Sequence, residues 1–134
     1  QNKPLPVYGD GLNVRDWIHV EDHARAIELI LLQGKANETY CVGGEAEMSN
    51  LDVVKMVLDI LQKPHDLIKY VKDRPGHDRR YAIDQTKIRN ELGYAPSRNF
   101  ATGLRQTIEW YRQNPDWCDH VLNHQYEQYY CAES

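Results

Sequence analysis

The chain has 134 residues, enough for one compact domain with a modest core. Hydrophobic residues make up 41% and charged residues 27%, which excludes a disordered composition. A net charge of −4 argues against general nucleic-acid binding, so any anion site has to be a local cluster.

Residues 4–8, Pro-Leu-Pro-Val-Tyr, are held extended by their prolines, and Gly9-Asp10-Gly11 is a turn signal. Val14 to Val20 alternates and ends β-branched, which predicts a short strand. A helix follows from about Glu21 to Leu32, with acids at its start and Gly34 at its stop. Thr39 to Val42 reads as a strand broken by Gly43-Gly44. Ser49, with Asp52 three residues on, is a capping-box variant opening the next helix. Leu51, Val53, Val54, Met56, Val57, Leu58, Ile60 and Leu61 make that helix apolar nearly all round, so it is expected to be deeply buried.

Leu67 to Val71 reads as a strand, and Asp73 to Arg80 as a charged loop around Pro75-Gly76. Tyr81-Ala82-Ile83 is a strand or an extended segment. Asp84 can cap a short helix ending at Leu92, with Gly93 at the stop. Leu104, Ile108 and Tyr111 mark one face of a further helix, ended by Asn114-Pro115. His120 to Tyr130 reads as a helix or a loose tail. Short strands among helices, with no clean βαβ series, predict an α/β or mixed α+β fold with about four to five helices.

Cys41, Cys118 and Cys131 are odd in number and match no zinc or redox spacing, so reduced thiols are expected. The longest apolar run, Ala26 to Leu32, contains Glu28 and falls short of the roughly 18 residues of a membrane span. No signal peptide is apparent. A cytoplasmic protein with no membrane and no nucleic-acid partner fits these features. Gln1 stands where an initiator Met would, and the chain reads as a piece of a longer protein.

Four segments bear on chemistry. Asp73 to Arg80 holds three arginines and a histidine around a proline-glycine turn. Arginine forks match phosphate oxygens in pairs, so this is a candidate phosphate clamp. Composition alone favours a solvated loop whose arginines pair with Asp73 and Asp78. In Tyr8 to Trp17, the glycines allow close backbone approach, and Arg15 is either a second phosphate contact or the partner of Asp16 or Asp22. Gly9-x-Gly11 is not a dinucleotide fingerprint. His19 and His23 straddle a strand end and a helix start, so ordinary caps are favoured over a metal site. Gly43-Gly44 through Ser49-Asn50 leads into a helix N-terminus, where Asn50 can bond a ligand; plain capping by Ser49 is the alternative. No nucleophile elbow or Walker loop is present in the sequence.

Taken together, these segments carry a resemblance. Val14-Arg15-Asp16-Trp17-Ile18-His19-Val20-Glu21-Asp22-His23-Ala24 resembles a stretch of the extended short-chain dehydrogenase/reductases. Thr39 to Gly44 and Asn50 to Val54 look like the next stretch of that family. Asp73-Arg74-Pro75-Gly76-His77-Asp78-Arg79-Arg80-Tyr81-Ala82-Ile83-Asp84 is similar to the signature of its dTDP-glucose 4,6-dehydratases. Lys87-Ile88, Glu91-Leu92-Gly93-Tyr94, Pro96, and Gly103-Leu104 through Trp110-Tyr111 continue it. The resemblance covers about residues 3–117.

The resemblance implies the C-terminal, nucleotide-sugar-binding region of such an enzyme at residues 1–117, with an unassigned tail or helix at 118–134. It implies NAD bound by an N-terminal Rossmann domain lying outside this chain. A dTDP-sugar substrate, a homodimeric parent and no metal complete the family picture. By residue-level match Arg15, Asn50, Arg74 and His77 would bind the substrate, with Tyr8 near the nucleotide. No catalytic or cofactor-binding residue is expected in this chain. Another nucleotide-sugar epimerase or decarboxylase of the same family, and a non-catalytic nucleotide-sugar or anion-binding module, are the alternatives.

Overall fold

The structure, a computed structural model, describes residues 3–122. In chain order its elements are β1 (Leu5–Tyr8), β2 (Val14–Asp16), α1 (Val20–Gln33), β3 (Glu47–Ser49) and α2 (Asn50–Ile60). A 3-10 turn (His65–Leu67), β4 (Ile68–Val71), α3 (Thr86–Leu92), α4 (Phe100–Gln113) and α5 (Pro115–Leu122) follow. This is a mixed α/β arrangement with five α-helices among the described residues. Residues 123–134, which hold Cys131 and most of the expected tail, lie outside them.

Two small sheets position the loops. β1 and β4 pair in parallel, with Leu5 opposite Ile68 and Tyr8 opposite Val71. β2 and β3 pair antiparallel, with Val14 opposite Ser49 and Asp16 opposite Glu47. The strand expected over Val14 to Val20 stops at Asp16, because His19 already caps α1: its Nδ1 accepts from the Glu21 amide at 3.3 Å. β3 was not expected from its composition. It exists because β2 supplies its ladder.

The caps follow the local chemistry. Ser49 Oγ accepts the Asp52 amide at 3.1 Å and donates to Asp52 Oδ2 at 2.6 Å, closing α2 at its N-terminus. Asp84 accepts the Thr86 amide at 2.8 Å, although Gln85 holds the N-cap position of α3. Asn99 caps α4 through the Thr102 amide at 2.9 Å.

Two expectations need correction. Thr39 to Val42 forms no ladder among the described residues. A strand needs a neighbour to bond to, and here the segment is instead lashed to α3 by side chains. Lys87 reaches Glu38 and the Thr39 carbonyl, and Tyr40 donates to Glu91. The helix expected to be deeply buried is only half covered. In α2, Val53 and Leu58 are buried, while Leu51, Val54, Met56, Val57 and Ile60 are intermediate.

The tightest core lies between α1 and α3. Ala26, Ile88 and Tyr94 are essentially inaccessible there, with Ile18, Ile30, Val42 and Leu92 packed around them. Tyr94 donates to the Gly43 carbonyl at 3.2 Å, satisfying its buried hydroxyl. Burial pushes the Tyr94 phenol above its ordinary pKa. Asp22, 1% exposed, accepts from the Ser97 amide and hydroxyl and from the Arg98 amide, tying α1 to the start of α4.

Candidate anion-binding site

The parallel pairing of β1 and β4 brings two loops together at one end of the strands. β1 runs into Gly9, whose amide donates to the Val71 carbonyl at 3.0 Å. β4 runs through Lys72 into the charged loop of Asp73 to Arg80. Gly9 has φ +57°, and a Cβ there would lie 2.7 Å from Asp73 Oδ2, so the two loops meet at a distance only glycine allows. Gly11, at φ +72°, passes as closely over Val7 and Leu51.

Asp73 organises the turn that follows. Its Oδ1 accepts from the Arg74 amide at 2.8 Å and from His77 Nδ1 at 2.7 Å. These bonds hold the Asp73 carboxyl below its usual pKa, the His77 bond most of all. The His77 side chain is only 5% exposed, and with Nδ1 committed to Asp73 its Nε2 is the nitrogen left for another partner. The guanidinium of Arg74 lies over the ring of Tyr8, 5.4 Å from its centroid. Tyr8, Arg74 and His77 therefore share one end of the β1–β4 pair.

Arg15 reaches the same loop from β2. Its Nη2 donates to the Asp78 carbonyl at 3.1 Å, and its guanidinium lies 4.4 Å from the Tyr81 ring centroid. Tyr81 in turn donates to the Asp78 carboxylate, which raises the Tyr81 phenol above its ordinary pKa. Asn50 opens α2, and its amide donates to the Asn13 carbonyl at 3.0 Å. It is joined to this region through the backbone of residues 11–14.

The ion pairs sort the arginines. Arg79 binds Asp10 at 2.8 Å, and that bond lowers the Asp10 pKa and raises that of Arg79. Arg80 grips Glu47 with two bonds, at 2.8 and 3.0 Å. The pairing of loop arginines with Asp73 and Asp78 does not occur: those carboxylates hold His77 and Tyr81. Arg15 pairs with neither Asp16, which accepts the Gly44 and Ala46 amides, nor Asp22. Among the described residues, Arg15 and Arg74 meet no carboxylate, and each rests on an aromatic ring. Arg15, bonded to the Val14 and Asp78 carbonyls, and Arg74 are guanidinium groups free of carboxylates, and the N–H groups they have left can take a doubly charged anion.

A separate cleft lies between the start of α1 and α4, lined by Trp17, His19, Arg98, Phe100 and Leu104 among others. It holds no cluster of uncommitted charges. Arg98 there is spent on Glu21 and Gln106. Trp17 is half-buried, donating to the Met48 carbonyl at 3.2 Å and meeting Phe100 edge-on. The sequence gives no site role to Asn13 or Tyr81, and offers Asp73 only as a partner for the loop arginines rather than for His77. The spacing of Asp73 and His77, four residues across a turn, was the one signal that pointed to any of them.

Residues 1–107 match the family model described as GDP-mannose 4,6 dehydratase. A dTDP-glucose 4,6-dehydratase from Salmonella typhimurium (strain LT2) is 48% identical over 134 residues, an alignment spanning 95% of this chain and 37% of that protein. The structure is similar to the crystal structure of a Bacillus anthracis dTDP-glucose 4,6-dehydratase in complex with NAD. That match has a TM-score of 0.81 at 48% identity, over 86% of this chain and 36% of that one. A UDP-glucose 4-epimerase from Thermotoga maritima, solved with UDP-glucose, shares the fold at a TM-score of 0.78 but only 28% identity, over 84% of this chain and 36% of that one. The chain thus spans little more than a third of the length of these relatives, and it aligns with their C-terminal portion.

Proposed function

The chain belongs to the GDP-mannose 4,6 dehydratase family, and from that premise we propose that it is the substrate-binding C-terminal part of an NAD-dependent dTDP-glucose 4,6-dehydratase. The observation that carries this reading is the pair of carboxylate-free guanidinium groups, Arg74 over the Tyr8 ring on the loop that holds His77, and Arg15 over the Tyr81 ring. Arg15 and Arg74 grip the substrate diphosphate. His77 and Asn50 make polar contacts to the same moiety or its ribose, and Tyr8 lies near the nucleotide. Residues 1–117 form this binding region, and residues 118–134 are given no role in it.

In the parent reaction, C4 of the nucleotide-linked glucose is oxidised, water is eliminated across C5 and C6, and the hydride returns to C6. The product is dTDP-4-keto-6-deoxyglucose, a precursor for deoxysugars of the rhamnose type, formed in the cytoplasm by a homodimeric lyase. NAD, bound by the Rossmann part outside this chain, supplies the hydride acceptor and donor. What this chain contributes is orientation: it holds the charged end of the substrate so that the sugar is presented to that part. The apolar face of α1, where Leu31 and Leu32 are 79% and 75% exposed, and the unpaired segment at 39–42 suit a surface that packs against the Rossmann domain. The identity of 48% to a dehydratase against 28% to an epimerase favours the dehydratase reading.

Calorimetric titration of dTDP into the chain tests the reading. Arg74→Ala should weaken binding by about 1.5–3 kcal/mol, the usual loss for a charge-assisted contact. An unchanged affinity overturns the assignment.

A further inference from the structure

We infer that Asn13 is a positioning residue, which sets the geometry of the two-arginine site without touching the ligand; the inference rests on the diphosphate reading above. Asn13 is 2% exposed, and its Nδ2 donates to the Asp78 carbonyl at 3.1 Å. That same carbonyl oxygen accepts from Arg15 Nη2, also at 3.1 Å. A carbonyl oxygen has two lone pairs. Here a buried amide takes one and the exposed guanidinium takes the other, so the direction of the first fixes where the second can sit.

Asp78 is held from both ends. Asn13 holds its main chain, and the Tyr81 hydroxyl holds its carboxylate, while the Tyr81 ring lies beneath Arg15. Neighbouring backbone bonds lock this segment against β2: the Val14 amide donates to the Arg79 carbonyl at 2.8 Å, and the Tyr81 amide to the Val14 carbonyl at 3.0 Å. The carbonyl of Asn13 itself accepts the Asn50 amide at 3.0 Å. One buried side chain and its backbone thus connect Asn50, Arg15 and the arginine loop, which are far apart in sequence.

The arrangement costs stability. Asn13 Oδ1 is buried and has no hydrogen-bond partner among the described residues, and leaving a buried acceptor unpaired is unfavourable. An aliphatic side chain of similar size would fill the space without that penalty. What the amide supplies and an aliphatic group does not is the Nδ2 donor to Asp78, and that bond has its consequence at Arg15.

The test is a double-mutant cycle read by calorimetric titration of dTDP into wild type, Asn13→Leu, Arg15→Ala and the double variant, with thermal melting run alongside. Asn13→Leu should weaken binding by about tenfold while melting no lower than wild type, and should cost almost nothing more once Arg15 is gone. Asn13→Ser, too short to reach Asp78, serves as a second variant should leucine not be accommodated. An equal loss in both Arg15 backgrounds, or no loss at all, overturns the positioning role. If Arg15→Ala itself leaves affinity unchanged, or wild type does not bind dTDP, the diphosphate reading fails and this inference falls with it.

Discussion

The carboxylate of Asp73 holds the ring of His77 at 2.7 Å across the Pro75-Gly76 turn, and the same oxygen accepts the Arg74 amide. One acid therefore sets both the main chain and the histidine of the charged loop. Its pKa is depressed by these bonds. For a carboxyl with a lowered folded-state pKa, the contribution is fully present above the unfolded value of about 3.9 and is lost as pH falls through the folded one. The Arg74 amide resonance should titrate with a midpoint below about 3.9, and Asp73→Asn should abolish that transition. A midpoint at or above the ordinary carboxylate value would contradict the arrangement.

Asp22 is the buried counterpart. Burial pushes its carboxyl up, but the Ser97 hydroxyl and the Ser97 and Arg98 amides more than offset this, so its pKa is lowered. Asp22→Asn leaves one acceptor oxygen for the three hydrogen-bond donors, turns an amide group toward some of them, and removes the charge that the Arg25 guanidinium faces at 3.3 Å. Urea unfolding at neutral pH should show a loss of about 1–3 kcal/mol. The gap to wild type should hold above the ordinary carboxylate pKa and narrow as pH falls through the lowered value. A gap that widened in acid would be the wrong sign.

Gly9 joins fold to site. Alanine there must adopt φ +57° and place its Cβ against the Asp73 carboxylate. The left-handed conformation alone costs about 1–2 kcal/mol. Displacing Asp73 should also loosen Arg74 and His77, so Gly9→Ala is expected to lower both the urea midpoint and the affinity for dTDP. A stability loss with intact affinity would show that the Gly9–Asp73 approach does not govern the arginine loop.

Local features were legible in the sequence, and long-range ones were not. Ser49 with Asp52, the acidic start of α1 and the Gly93 stop are written within four residues, and each appears where expected. β3 was missed because Glu47-Met48-Ser49 has no apolar alternation and becomes a strand only beside β2. Thr39 to Val42 failed in the opposite way: it has strand composition but no neighbour among the described residues. The charged loop stood out as a cluster, and its resemblance selected Arg74 and His77 within it. Which arginines are spent on carboxylates was hidden, since Asp10 lies 69 residues from Arg79 and Glu47 lies 33 from Arg80.

The pairing of β1 with β4 also governs which way this small sheet can grow. Gly9 bonds toward β4, and residues alternate sides along a strand, so Leu5 and Val7 share that direction while Pro6 turns its nitrogen outward. Proline has no N–H to offer there, and Pro4 just before the strand lacks one as well. The outer rim of β1 is therefore a poor template for recruiting a further strand, including one from a second molecule. The prolines that straighten the approach to Tyr8 also protect the site-bearing edge from self-association.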